Sequence, residues 1–108
     1  MDYETAADIW RQMRASALAD LRQDLVELAV RYARLRVDYH LAGAEQQSVL
    51  ESVRSTCHNA LISSCGILAR NMAKRGEDAS WRLQMGDDRK EIGDFGCHLH
   101  AILGLAAR

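Results

Sequence analysis

Seven apolar side chains, Leu18, Leu21, Leu25, Leu28, Tyr32, Leu35 and Tyr39, follow one another in alternating steps of three and four residues. That spacing holds all of them to one side of an α-helix, whereas a strand would scatter them over both faces. Glycine and proline are absent from Met1 to Ala42, so no backbone breaker interrupts the helix there. An apolar stripe of this length has to be covered by something else. The chain is therefore expected to be all-α, with the seam turned towards a core.

Proline is absent from the whole chain, which leaves glycines, caps and polar loops as the only stops. The first helix is expected from about 3 to 41, with Gly43 as its C-terminal stop and Glu27–Arg31 and Arg34–Asp38 as i,i+4 pairs. Its length would be roughly 58 Å. Continued backwards, the seam meets Arg14 and Arg11, while Ile9, Trp10, Met13 and Ala17 form a displaced stripe. A bend or break near Ser16, or an arm facing a different neighbour, accounts for the shift.

A second helix is expected over about 45–75, starting at Ala44 or at Ser48, whose spacing to Glu51 suits a capping box. Lys74 and Arg75 suit its C-terminal dipole end and Gly76 the position beyond it. Its apolar line is Val49, Leu50, Val53, Cys57, Leu61, Cys65, Leu68 and Met72. The small residues Ala60, Ser63, Ser64, Cys65 and Gly66 in its middle suggest tight helix pairing. In the connector 77–87, Trp81, Leu83 and Met85 alternate with polar residues, which predicts a short extended segment or a lid across one end of the bundle. Asp88 and Glu91 open a third helix over about 88–107 with Ile92, Phe95, Leu99, Ile102, Leu103 and Ala106 inward. Gly93, Gly96 and Gly104 each weaken it by ~1 kcal/mol relative to alanine, which close packing would offset.

These elements make one domain, 1–108, expected as an antiparallel three-helix bundle, or four helices if the first breaks near Ser16. The third helix spans only roughly 30 Å, so part of the long first helix would stay uncovered. A homodimer burying Ile9, Trp10, Met13, Ala17 and parts of Leu21 to Leu28 is expected to cover it, with Trp81 as a further partner-binding residue. Fourteen Lys and Arg against fifteen Asp and Glu give a net charge of −1, so no overall field draws the chain to nucleic acid or an anionic membrane. The start Met1-Asp2-Tyr3-Glu4 has no apolar signal region, and no apolar run approaches ~18 residues. A cytoplasmic protein with reduced cysteines is the expectation, since three cysteines cannot all pair.

Metal-capable side chains occur at Cys57-His58 and at Cys97-His98-Leu99-His100, with Cys65 and His40 elsewhere. Neighbouring helical residues point about 100° apart, so Cys97 and His100, at i,i+3, form the one pair in this set that shares a face. Thiols acting as small buried hydrophobes are the expectation, with no metal or cofactor. Cys57 cannot be activated by adjacent His58 across helix geometry, and Gly93-Asp94-Phe95-Gly96 lacks the strand and lysine of a phosphate loop. Arginines 11, 14, 22, 31, 34 and 36 are interleaved with acids at 8, 20, 24, 27 and 38, which describes a solvated mixed face. Arg70, Lys74 and Arg75 make a smaller basic end, where Arg82 and Trp81 could stack on a base.

Arg34, followed by five residues and His40, resembles the Arg-x(4 to 6)-His signature of the HEPN family, helical proteins that include metal-independent RNA-cleaving enzymes. The resemblance implies a guanidinium for phosphate and an imidazole acting as acid or base on the 2′-hydroxyl. The residues themselves favour a small intracellular interaction or regulatory module acting by association, without catalysis of its own. A HEPN-like RNA-cleaving or RNA-binding protein using Arg34 and His40 is the alternative.

Overall fold

The computed structural model describes residues 1–106, and its first helix is interrupted where the seam fails. Five helices follow in order: α1 (Tyr3–Arg14), α2 (Ala19–Leu41), α3 (Ala44–Lys74), α4 (Trp81–Gln84) and α5 (Arg89–Ala106). Among the described residues there is no strand. The end expected for the last helix at Ala107 and the side chain of Ala106 fall outside the description.

The break has a specific chemical cause. Ser16 is buried although polar, and its hydroxyl donates to Glu77 Oε1 at 2.7 Å. The Ala17 N–H donates to Glu77 Oε2 at 2.9 Å. Arg22 Nη1 donates to the Ser16 carbonyl at 2.6 Å, so the linker 15–18 exchanges helical hydrogen bonds for side-chain ones. Glu77 itself is aimed by the end of α3. Gly76 takes φ 77°, its N–H donates to the Ala73 carbonyl (3.0 Å), and the Glu77 N–H donates to that of Met72 (2.9 Å). Those two bonds form a Schellman stop, which requires the left-handed conformation that glycine tolerates.

With the chain turned at Ser16, α1 lies back against α5 and α4. Ile9 and Met13 are fully buried there, so the displaced stripe finds its neighbour within its own chain. The break expected near Ser16 is found, while the undivided helix over 3–41 and the uncovered arm are corrected accordingly. The seam keeps its role: Leu25 and Tyr32 are buried, and Leu18, Leu21, Leu28 and Leu35 pack on the core from its margin.

α2 and α3 run antiparallel. Leu21 lies across from Ile67, the Leu28 carbonyl from Cys57 Sγ (3.7 Å), and the Tyr39 ring from the Arg54 guanidinium (4.0 Å). Ala42 caps α2 and Gly43 serves as N-cap of α3, a two-residue connection that moves the expected stop of the first helix onto the start of the second. The Ser48–Glu51 capping box does not form, because α3 begins at Ala44 and carries Ser48 inside it. Glu51 instead pairs with Arg54 and Arg89. Cys57, Leu61, Cys65, Leu68 and Met72 face the core as expected, but Val49 is 61% exposed.

The connector is not an extended segment. One helical turn in α4 places Trp81 and Met85 on the same side, where both are buried, and leaves Leu83 92% exposed. The Trp81 Nε1–H donates to Met72 Sδ at 3.4 Å. At the other end, the Glu91 N–H donates to Asp88 Oδ1 at 2.8 Å, as a capping residue requires.

α5 packs on α2 most closely at Gly96, where an added Cβ would stand 2.6 Å from the Ala29 carbonyl oxygen. Gly104 is the contrast, with nothing within 4 Å of such an atom. Gly96→Ala is expected to destabilise the fold by about 1–3 kcal/mol through overpacking. Gly104→Ala is expected to stabilise it by up to ~1 kcal/mol through helix propensity. Urea denaturation midpoints measure both, and shifts of the same sign would contradict the packing described.

Candidate functional site

The residues singled out as partner-binding fall into three environments. Ile9, Met13 and Trp81 are fully enclosed by this chain, Trp10 is half-buried against the core, and Ala17 is exposed in the linker. The enclosed ones present no surface to a partner, because the turn at Ser16 and the α4 turn bring neighbours over them. Enclosure also removes Trp81 as a base-stacking platform. Arg82 is engaged with the Met85 carbonyl and the Asp87 carboxylate.

Arg34 and His40 are both exposed, but six residues of α2 place them roughly 120° apart around its axis. His40 lies edge-on to Tyr39, with ring centroids 5.8 Å apart. Arg34 instead lines a cleft of about 310 Å³ with Ala33, Val37, Asp38, Cys97 and His100. The fold thus gathers Arg34 with the Cys97/His100 pair and separates it from His40. Among the described residues no group of three His, Cys, Asp or Glu side chains is placed to hold a metal ion.

The other cysteines and histidines have structural partners. Burial pushes the Cys65 thiol up to about 12 and also raises that of Cys57, which disfavours the thiolate needed for nucleophilic or ligand chemistry. His58 Nε2 contacts the Asp87 carbonyl at 2.9 Å, and His98 Nε2 contacts that of Met1 at 3.2 Å.

A larger concave surface lies elsewhere, between the outer sides of α2 and α3. It is a groove of about 650 Å³ lined by Leu21, Leu28, Ala60, Ser63, Ser64 and Ile67, with Asp24, Glu27 and Arg31 along the α2 rim. A second section of about 320 Å³ continues it past Val53 and Thr56 and shares Leu28, Arg31 and Ala60 with the first. The small residues of α3 therefore open a groove on this side. A sequence signal for it exists in Val49, Val53, Thr56, Ala60, Ser63 and Ile67, again spaced by four and three. Serine, threonine and alanine carry too little apolar weight for that second stripe to stand out. Comparison with protein-family models, with curated proteins and with solved structures found no match. Among the described residues no helix is long and apolar enough to cross a membrane.

Away from the groove, Glu77 and Asp94 are among the carboxyls that hydrogen bonds hold below their ordinary values. The Ala17 N–H, followed by the Ser16 hydroxyl, holds Glu77 below its ordinary value. Burial raises Asp94, but hydrogen bonds from the Met1 amino group, Arg36 (2.8 Å) and Lys90 (3.1 Å) outweigh it and leave the carboxyl well below the usual range. A carboxylate so held stabilises the fold in full at neutral pH, and the contribution is lost as pH falls below about 4 through the lowered value. Wild-type thermal midpoints are expected to fall over that acid range. Glu77→Gln and Asp94→Asn are expected to start lower at neutral pH and each to show a flatter acid dependence, read by circular dichroism.

Proposed function

We propose that this chain is a small cytoplasmic helical module that works by association, receiving a helical partner in the groove between α2 and α3 and performing no chemistry of its own. The observation that carries this reading is the groove itself. Its floor is Leu28 and Ala60, its wall includes Ile67 at 41% exposure, and Val49 extends the apolar stripe one turn further. Apolar side chains in register along two antiparallel helices match the way an amphipathic helix is recognised, through anchors spaced by three and four residues. Association thereby loses the Ile9 and Met13 part of the expected interface and keeps its Leu21 to Leu28 part, on a face left open among the described residues. A photo-cross-linking residue at Ser63 is expected to form protein adducts in cells, while the same residue at exposed Lys90 on α5 forms none. Leu28→Glu is expected to abolish the Ser63 adduct. No adduct at Ser63 above the Lys90 level would overturn the reading.

A second reading, RNA cleavage, rests on the cleft that Arg34 and His100 line together, since the Arg34–His40 pair of the HEPN resemblance is divided around α2. A guanidinium there would receive a phosphate and an imidazole would move the 2′-hydroxyl proton. Incubation with end-labelled RNA tests it. Cleavage lost in Arg34→Ala and in His100→Ala or His40→Ala would support it, and an inactive wild type would exclude it.

A further inference from the structure

We infer that the occupant of the α2–α3 groove is a second copy of this chain, laid antiparallel so that α2 meets α2 and α3 meets α3 about a two-fold axis at Leu28 and Ala60. This rests on the association reading and names its partner. Self-complementary charge is the first argument. Asp24 stands four residues before Leu28 and Arg31 three after it, both on the rim of the groove. Antiparallel pairing centred on Leu28 therefore brings each Asp24 to within a residue step of Arg31 of the partner subunit, and symmetry makes the pair twice. Neither side chain makes an ion pair among the described residues. Glu27, the expected partner of Arg31, is instead bonded to Gln23 at 3.3 Å.

Shape supplies the second argument. On α3 the same axis at Ala60 sets Thr56 against Ser64 of the partner subunit and Val53 against Ile67 of the partner subunit. Small side chains at the centre let the two α3 backbones approach, and larger ones toward each end close the seam. The two sections of groove meet at Leu28, Arg31 and Ala60, which is where the two-fold axis must pass. The product is a four-helix bundle in which every neighbouring pair of helices is antiparallel. A rim carrying both signs also disfavours a polyanion in this groove, which would need a basic stripe.

Sedimentation velocity on the purified full chain, from about 1 to about 100 µM, tests the inference in the micromolar range of ordinary association. The wild type is expected to move from the 12.1 kDa chain mass towards twice that value. Asp24→Arg and Arg31→Asp, both at exposed positions, are each expected to weaken dimerisation by roughly tenfold or more through like-charge repulsion. The double variant Asp24→Arg/Arg31→Asp is expected to restore it, with unchanged helical circular dichroism throughout. A wild type that stays monomeric at the highest concentration would overturn the second-copy inference, as would single variants without effect or a double variant that does not recover. In a monomeric outcome, a Ser63 adduct with a different protein keeps the association reading, and no adduct removes both.

Discussion

The carboxylate of Glu77, received by the Ser16 hydroxyl and the Ala17 N–H, decides how the remaining helices can be arranged. Without that turn, α1 would continue the axis of α2 and carry Ile9 and Met13 away from the core. With it, α1 lies on α5 and α4, and those side chains join Met72, Trp81 and Phe95 in one buried cluster. Glu77 reaches the linker because the Schellman stop at Gly76 ends α3 with its next residue pointing at Ser16. Two helix termini far apart in sequence are thus joined by a single side chain.

α2 is covered unequally. One flank meets α5 at backbone distance, where Gly96 lies under the Ala29 carbonyl, and another meets the inner side of α3 through Leu25, Tyr32, Cys57 and Leu61. Among the described residues no helix lies over the remaining arc, which bears Leu21, Asp24, Leu28 and Arg31. α1, which might have covered it, is committed to α5 by the turn at Ser16. The open groove and the closed core are therefore two consequences of the same turn.

Much of the fold was legible where local chemistry decides. The seam marks the core side of α2, its failure at Arg14 and Arg11 marks the break, Gly76 ends α3, and Asp88 caps α5. Misreadings arose where two local signals compete. Of the two starts expected for α3, Ala44 is the one taken, because the favourable helix through Ala44 to Gln47 overrides the capping spacing of Ser48 and Glu51. Trp81, Leu83 and Met85 alternate like a strand, yet a single helical turn buries the first and third equally well, and only Leu83 shows the difference. The site was harder to read than the fold. Arg34 and His40 share a motif in sequence but lie on different sides of α2, while Arg34 and His100, far apart in sequence, line one cleft.

The sequence by itself determined an all-helical chain, the core faces of its long helices and the places where they stop, because periodicity, caps and glycine act within a few residues. Tertiary structure alone decided which apolar stripe is covered. The Ile9 and Met13 stripe is closed with the help of a hydrogen bond that joins residues sixty-one positions apart, Ser16 and Glu77. The weaker stripe of Val53, Thr56, Ala60, Ser63 and Ile67 is left open because none of the helices among the described residues lies on it. Burial depends on which elements meet, and a pattern along one helix carries no record of its neighbours.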